Sequence, residues 1–198
     1  MSPRLKTIAA KVTWAVDANN GKLCCIGPTM HDNYSKKGHA HAGNRCRFRP
    51  GRHDIAALQR LATVLKKMSS SVREKLAIEN DDRTYTPQDF LGFCKENEVP
   101  FVNDVHHHRC LRDGLSVEHV TEAALTTWNR LPLFNVSSHE FGLDSSKPSP
   151  HHDYINIRDF PVCWRDLSIT VEVQAKAKEL AVKKLSSQLT SFTQGTRQ

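Results

Sequence analysis

No stretch of this 198-residue chain approaches the roughly 20 apolar residues that a membrane-spanning helix needs, and its mean hydropathy is −0.52. The opening MSPRLKTIAAKVTW lacks the unbroken apolar core of a secretory signal, so a soluble, cytoplasmic protein with no membrane partner is expected. Cysteine is scarce and poorly spaced for a disulfide framework. Of six, Cys24 and Cys25 are adjacent, Cys46, Cys94, Cys110 and Cys163 stand far apart, and no C-x-x-C occurs. Reduced thiols are the expectation. Cys24, Cys25, His31, His39, His41 and Cys46 include zinc-binding residue types, but their spacings match no common module, and a loop rich in Gly, Asn and His is the simpler reading.

Acidic residues are nearly missing from the N-terminal quarter. Residues 1–53 hold ten Lys and Arg against two acidic residues, while the rest of the chain holds 18 against 19. The whole basic excess is therefore N-terminal, as in an arm that binds a polyanion or in one that is merely solvated. This segment is punctuated by Asn-Asn-Gly, Gly-Pro, Lys-Lys-Gly and Pro-Gly, has only short apolar runs such as Ile8 to Trp14 and Leu23 to Ile26, and reads as irregular.

From residue 54 the pattern changes. Ile55, Leu58, Leu61, Ala62 and Leu65 recur at helical spacing, and Ser69-Ser70-Ser71 marks the stop. The apolar run Leu76-Ala77-Ile78 ends at Glu79. Thr86-Pro87-Gln88-Asp89 then supplies an N-cap, a first-position proline and an acid in the first turn, opening a helix to about Asn97. Pro100-Phe101-Val102 ends at Asp104, and a helix is predicted from Ser116 to Trp128. Leu133-Phe134 reaches Asn135, and after a long Ser/Pro/His loop Ile169 to Val173 ends near Gln174, with a last helix from about Ala175 to Leu185.

Strands alternating with helices imply parallel pairing through right-handed crossovers. Four such units make half of an eight-stranded α/β barrel, and an open four-stranded sheet satisfies the same pattern. The polar residues favour the barrel. Glu79, Asp104, Asn135 and Gln174 each close an apolar run, and in a parallel barrel all strand ends meet on one face, where the chemistry sits. Asp104-Val105-His106-His107-His108 is the most telling stretch, because an acid and three imidazoles after an apolar strand are costly to desolvate unless they are used. Trp14, Trp128 and Trp164 read as packing residues, and of Asp81 and Asp82 one is expected to turn the loop and the other to orient Arg83.

Five stretches carry a resemblance. LAIENDD at 76–82, PFVNDVHHH at 100–108, FNVSS at 134–138, HHDY at 151–154 and VEVQAKAK at 171–178 resemble, in order, successive motifs of the bacterial UV-damage endonuclease family. That resemblance implies a TIM-type barrel of which this chain holds the C-terminal half, and metal-dependent nicking of DNA 5′ to ultraviolet photoproducts. It implies a divalent cofactor, manganese above all, with magnesium or zinc as alternatives. Carried over position by position, it makes Glu79, Asp104 and His107 catalytic residues and metal ligands, with His151 and Asp153 as further ligands. Asn135 stands where the family has histidine and Gln174 where it has glutamate, so both are degenerate ligand positions and the activity is expected to be weakened.

Upstream, Arg47-Phe48-Arg49-Pro50-Gly51-Arg52 resembles the family's S-F-H-P-G-Q strand end, with Arg49 at a metal-binding histidine position and Arg52 at that of a lesion-probing glutamine. Arg47, Arg49 and Arg52 are the candidate DNA contacts. Only 28 residues separate Gly51 from Glu79, fewer than the family uses, so the first half of the barrel is expected to be incomplete. Four units leave two open sheet edges, which the N-terminal segment or a second copy in a homodimer would cover. A catalytically silent DNA-binding relative and a metal-dependent sugar isomerase are the competing functions.

Overall fold

The computed structural model describes residues 7–10, 24–26 and 55–195. Its strands are β1 (Thr7–Ala10), β2 (Cys24–Ile26), β3 (Leu76–Glu79), β4 (Phe101–Val102), β5 (Leu133–Val136) and β6 (Thr170–Val173). The helices are α1 (Ile55–Lys67), α2 (Ser70–Arg73), α3 (Pro87–Glu96), α4 (Val105–Cys110), α5 (Val117–Leu125) and α6 (Glu179–Gly195).

Every strand pairing is parallel. β2 pairs with β3 and β3 with β4, while β5 pairs with β6 and β6 with β1. A parallel bridge between Asp104 and Asn135 joins the two sheets just past β4. From β2 to β6 each strand therefore neighbours the next in sequence, and β1 lies beside β6. That is the neighbour order of a barrel rather than of a doubly wound sheet. Among the described residues β1 and β2 do not pair with each other.

The four expected strands are thus six. β1 and β2 come from the basic segment that reads as irregular, and they occupy the two edges that four units alone would leave open. Among the described residues β1 and β2 then become the outer strands themselves.

The burial pattern explains why short strands suffice. Leu76, Ile78, Phe101, Phe134, Val136, Val171 and Val173 face the helices and join one apolar core. Ala77 and Val102 turn to the other face and meet Leu133 and Trp128. With both faces covered, the strands are near-continuous apolar runs. Trp164 is fully buried against Phe134, ring centroids 5.3 Å apart, and its Nε1 donates to Thr121 Oγ1 at 2.8 Å. Trp128 Nε1 donates to the Phe101 carbonyl at 2.7 Å. Both are packing residues, as their sequence context suggests, and Trp14 lies outside the described residues.

Local chemistry sets the helix ends. Asp89 Oδ2 accepts from both the backbone N–H and the hydroxyl of Thr86 at 2.8 Å, which with Pro87 fixes the start of α3. Asp81 accepts from the N–H groups of Arg83, Thr84 and Tyr85, and Asp82 lies 3.7 Å from Arg83 Nε, the division of labour expected of the pair. The last helix starts at Glu179 rather than Ala175. The N–H groups of Lys176 and Ala177 bond the carbonyls of His152 and Asp153, and Lys178 takes a left-handed φ of 51°, so this stretch is tied to the preceding loop before the helix begins.

Candidate metal centre

β3 and β4 run side by side with Glu79 opposite Val102, which places Asp104 two residues further along the same face. Asp104 ends the strand and opens α4: its Oδ1 accepts the N–H groups of His106 and His107, each at 2.9 Å. One carboxylate thus caps a helix and faces the strand ends. The three histidines lie on that helix, not in an open loop, and His106 and His108 are buried.

Glu79, Asp104 and His107 converge, each offering a ligand atom within 4.8 Å of the others. His107 Nδ1 lies 3.6 Å from Asp104 Oδ2 and 3.9 Å from Glu79 Oε1, and donates to the Asn80 carbonyl at 2.9 Å. Asn80 holds the arrangement together: its Nδ2 donates to the Asp104 carbonyl at 2.9 Å and its Oδ1 accepts the Asp104 N–H at 3.0 Å. Asn135 Nδ2 donates to Glu79 Oε1 at 2.7 Å. Asn135 Oδ1 and Asp104 Oδ2 are buried with no hydrogen-bond partner.

The electrostatics follow from burying two carboxylates together. Burial raises the Asp104 pKa and Glu79 adds to the rise, against the opposing pull of His107. Burial alone would lower the His107 pKa, but the Asp104 and Glu79 carboxylates outweigh it and hold the ring protonated. That imidazolium is the local counter-charge. A divalent cation is a stronger one, and two carboxylates with an imidazole suit manganese or zinc, so the donor set and an Asp104 Oδ2 that accepts no hydrogen bond fit such an ion.

The remaining candidates fall elsewhere. His151 stacks edge-on against His106 at 4.9 Å and lies 6.4 Å from His107, ring centroid to ring centroid. Asp153 is exposed and joins neither group of converging donors among the described residues. Gln174 is half-buried, its N–H bonded to the Val136 carbonyl. Arg47, Arg49 and Arg52 lie outside the described residues, as do His31, His39, His41 and Cys46.

Sequence reasoning missed Asn80 and a second donor group, His106, Cys110 and His139, whose ligand atoms also lie within 4.8 Å of one another. The signal for the second was the i, i+4 spacing of His106 and Cys110, legible only once 105–110 is read as helix. Beside it opens a cavity of about 620 Å³ whose lining includes Arg109, Ser138, His139, Asn156 and Lys184.

A parallel α/β protein with carboxylates and an imidazole gathered at its strand ends belongs to the class in which that end carries the chemistry. More particularly, the family model described as UV-endonuclease UvdE matches residues 50–197, and the chain belongs to that family. It is 29% identical over 150 residues to the UV DNA damage endonuclease of Bacillus pumilus, covering 69% of this chain and 45% of the relative. With the UV DNA damage endonuclease of Halalkalibacterium halodurans it shares 29% over 150 residues, 71% and 46% of the two chains. A crystal structure of SacUVDE superposes with a TM-score of 0.62 at 25% identity, covering 69% of this chain and 47% of that one. The chain spans just under half the length of these relatives.

Proposed function

We propose that this chain is a metal-dependent DNA endonuclease that cuts the phosphodiester 5′ to ultraviolet lesions, with its activity weakened by the substitutions at Asn135 and Gln174. The observation that carries the reading is the convergence of Glu79, Asp104 and His107 at the ends of neighbouring parallel strands in a member of the UvdE family. In this reading residues 54–198 carry the site as part of a TIM-type barrel, and the basic segment 1–53, through Arg47, Arg49 and Arg52, contacts DNA phosphates.

Glu79, Asp104 and His107 would hold a divalent cation, manganese in the first instance, with His151 and Asp153 as outlying ligands. When bound, such an ion neutralises phosphate charge and lowers the pKa of water. The chain's own residues supply the rest. Asn80 fixes the Asp104 backbone from both sides and takes the His107 Nδ1 proton in a hydrogen bond, which sets the tilt of the ring. Asn135 donates to Glu79 Oε1 and so competes for a carboxylate lone pair that the cation needs. An imidazole there would be a ligand, whereas the amide ties up one.

That same hydrogen bond favours a second reading, a catalytically silent relative that keeps the fold and binds damaged DNA. A nicking assay on ultraviolet-irradiated supercoiled plasmid with added manganese separates the two. Metal-dependent nicking of the irradiated plasmid, absent from an unirradiated one and abolished in Asp104→Ala, supports the endonuclease; no nicking by folded protein that still binds irradiated DNA supports the silent relative.

A further inference from the structure

Beyond the carboxylate centre, α4 carries a second set of donors of different chemistry. His106 and Cys110 are four residues apart on one face of the helix, and His139 reaches them from the loop after β5. The His106 and His139 rings lie 4.3 Å apart, centroid to centroid, and Cys110 Sγ is 3.9 Å from His139 Nδ1.

The hydrogen bonds of the two rings are complementary. His106 Nε2 bonds the Ser149 carbonyl at 3.0 Å and His139 Nδ1 bonds the Pro148 carbonyl at 2.7 Å. A carbonyl only accepts, so each of these nitrogens carries the proton and the other nitrogen of each ring bears a lone pair. Those other nitrogens, His106 Nδ1 and His139 Nε2, are buried and have no hydrogen-bond partner. One ring nitrogen held by a backbone carbonyl and the other left as a lone pair is how metal-ligating histidines are oriented. Two buried unpartnered nitrogens otherwise cost the desolvation of each.

We propose that His106, Cys110 and His139 form a site for a thiophilic divalent cation of the zinc class, distinct from the carboxylate centre. Two imidazoles and a thiolate are softer donors than the neighbouring carboxylates and select zinc over manganese or magnesium. Donors on a tetrahedral zinc lie roughly 3.5 Å apart. The donors lie within 4.8 Å of one another, but the nitrogen nearest the thiol, His139 Nδ1, is the one that donates to the Pro148 carbonyl, so closure needs the His139 ring to turn its Nε2 toward Cys110 Sγ. On binding, the Cys110 thiol proton leaves to solvent and the sulfur coordinates as thiolate, His106 and His139 remaining neutral. Of the three donors His139 lines the adjoining cavity. Bound there, the cation clamps the 138–151 loop onto the helix that presents Asp104 and His107. The proposal does not depend on the endonuclease reading.

Cobalt titration of the full chain tests it. Wild type is expected to develop a thiolate-to-cobalt charge-transfer band with the intense visible bands of tetrahedral Co²⁺. Cys110→Ser removes the charge-transfer band, His139→Gln weakens cobalt binding at least about 10-fold, and Glu79→Gln leaves the band in place. Absence of the band in wild type, or its persistence in Cys110→Ser, overturns the site, the latter by placing the thiolate elsewhere in the chain. Should Cys110→Ser fail to fold, protection of Cys110 from alkylation in the wild type decides. Zinc is expected to slow alkylation of Cys110, read by peptide mass spectrometry, at least about 10-fold and to leave Cys163 unchanged; equal rates with and without zinc reject the proposal.

Discussion

The two donor groups share α4 but solve burial in opposite ways. Around Asp104 two carboxylates are taken out of water together, and the protein compensates with a protonated His107, helix N–H groups and the Asn80 bridge. Around Cys110 the thiol and the His106 imidazole stay neutral. Burial pushes the His106 imidazole down to about 3 and the Cys110 thiol up to about 11, the latter helped by the negative charge of Asp82 and Asp104. Buried charge is costly enough to need a partner, whereas a buried neutral imidazole needs only a hydrogen bond. The carboxylate group is therefore the one whose folding depends on a counter-charge, whereas the His/Cys group carries a smaller cost, that of one unpartnered nitrogen on each of two rings.

The sharpest way to break this contrast is to remove charge without removing the helix cap. Asp104→Asn keeps an N-cap residue as good as aspartate and discards the carboxylate. Manganese-dependent nicking is expected to fall by about 10³-fold or more, because loss of an ion forfeits several kcal/mol of transition-state stabilisation. Urea denaturation is expected to show stability unchanged to within about 1 kcal/mol. Undiminished nicking would move the chemistry away from Glu79 and His107 altogether.

Next in size is the change that restores an imidazole. Asn135→His removes the donor to Glu79 Oε1 and adds a ligand of the type the family resemblance expects there. Isothermal titration should show manganese binding strengthened by about 10-fold, with the cobalt-thiolate signal of the His/Cys group unmoved. A smaller effect is expected at Asn80, which touches the carboxylate group only through backbone. Asn80→Ala removes the acceptor of the buried Asp104 N–H and one of the two donors to its carbonyl, which keeps the His108 N–H, and should cost about 1–2 kcal/mol in urea denaturation. It should also weaken manganese binding, which a purely structural residue would not do.

How much of this was legible in the sequence follows from the range of each interaction. The strand ends at Glu79 and Asp104 were legible because apolar runs stop there, and parallel pairing then forces them onto one face. α3 was legible because Thr86, Pro87 and Asp89 write its cap in four residues. β1 and β2 were not, since three or four residues become a strand only when a neighbour such as β6 or β3 supplies the hydrogen bonds. α4 was hidden by its own histidines, which read as ligands before they read as helix. His139 was hidden because it is 29 residues from Cys110 and meets it only through the bend that brings Pro148 and Ser149 back over α4. Asp153 shows the converse, a residue of the right type whose side chain the fold leaves exposed.

Asp113 offers a control outside both groups, with the smallest expected effect. It accepts the N–H groups of Gln88 at 2.8 Å and Leu115 at 3.0 Å and bonds His108 Nε2 at 3.0 Å, tying the start of α3 to the loop after α4. Burial alone would raise its carboxyl pKa, but these hydrogen bonds outweigh it and hold the group below its ordinary value of 3.8. A carboxylate with a depressed folded-state pKa contributes stability that is present above the ordinary value and is lost as the pH falls through the depressed one. Asp113→Asn is therefore expected to cost about 1 kcal/mol at neutral pH and to flatten the acid limb of the stability curve. Manganese binding at Glu79 and the cobalt-thiolate band of Cys110 should both be unchanged, because Asp113 reaches neither group. Movement of either would mean that the two centres are coupled through α4 rather than merely housed on it.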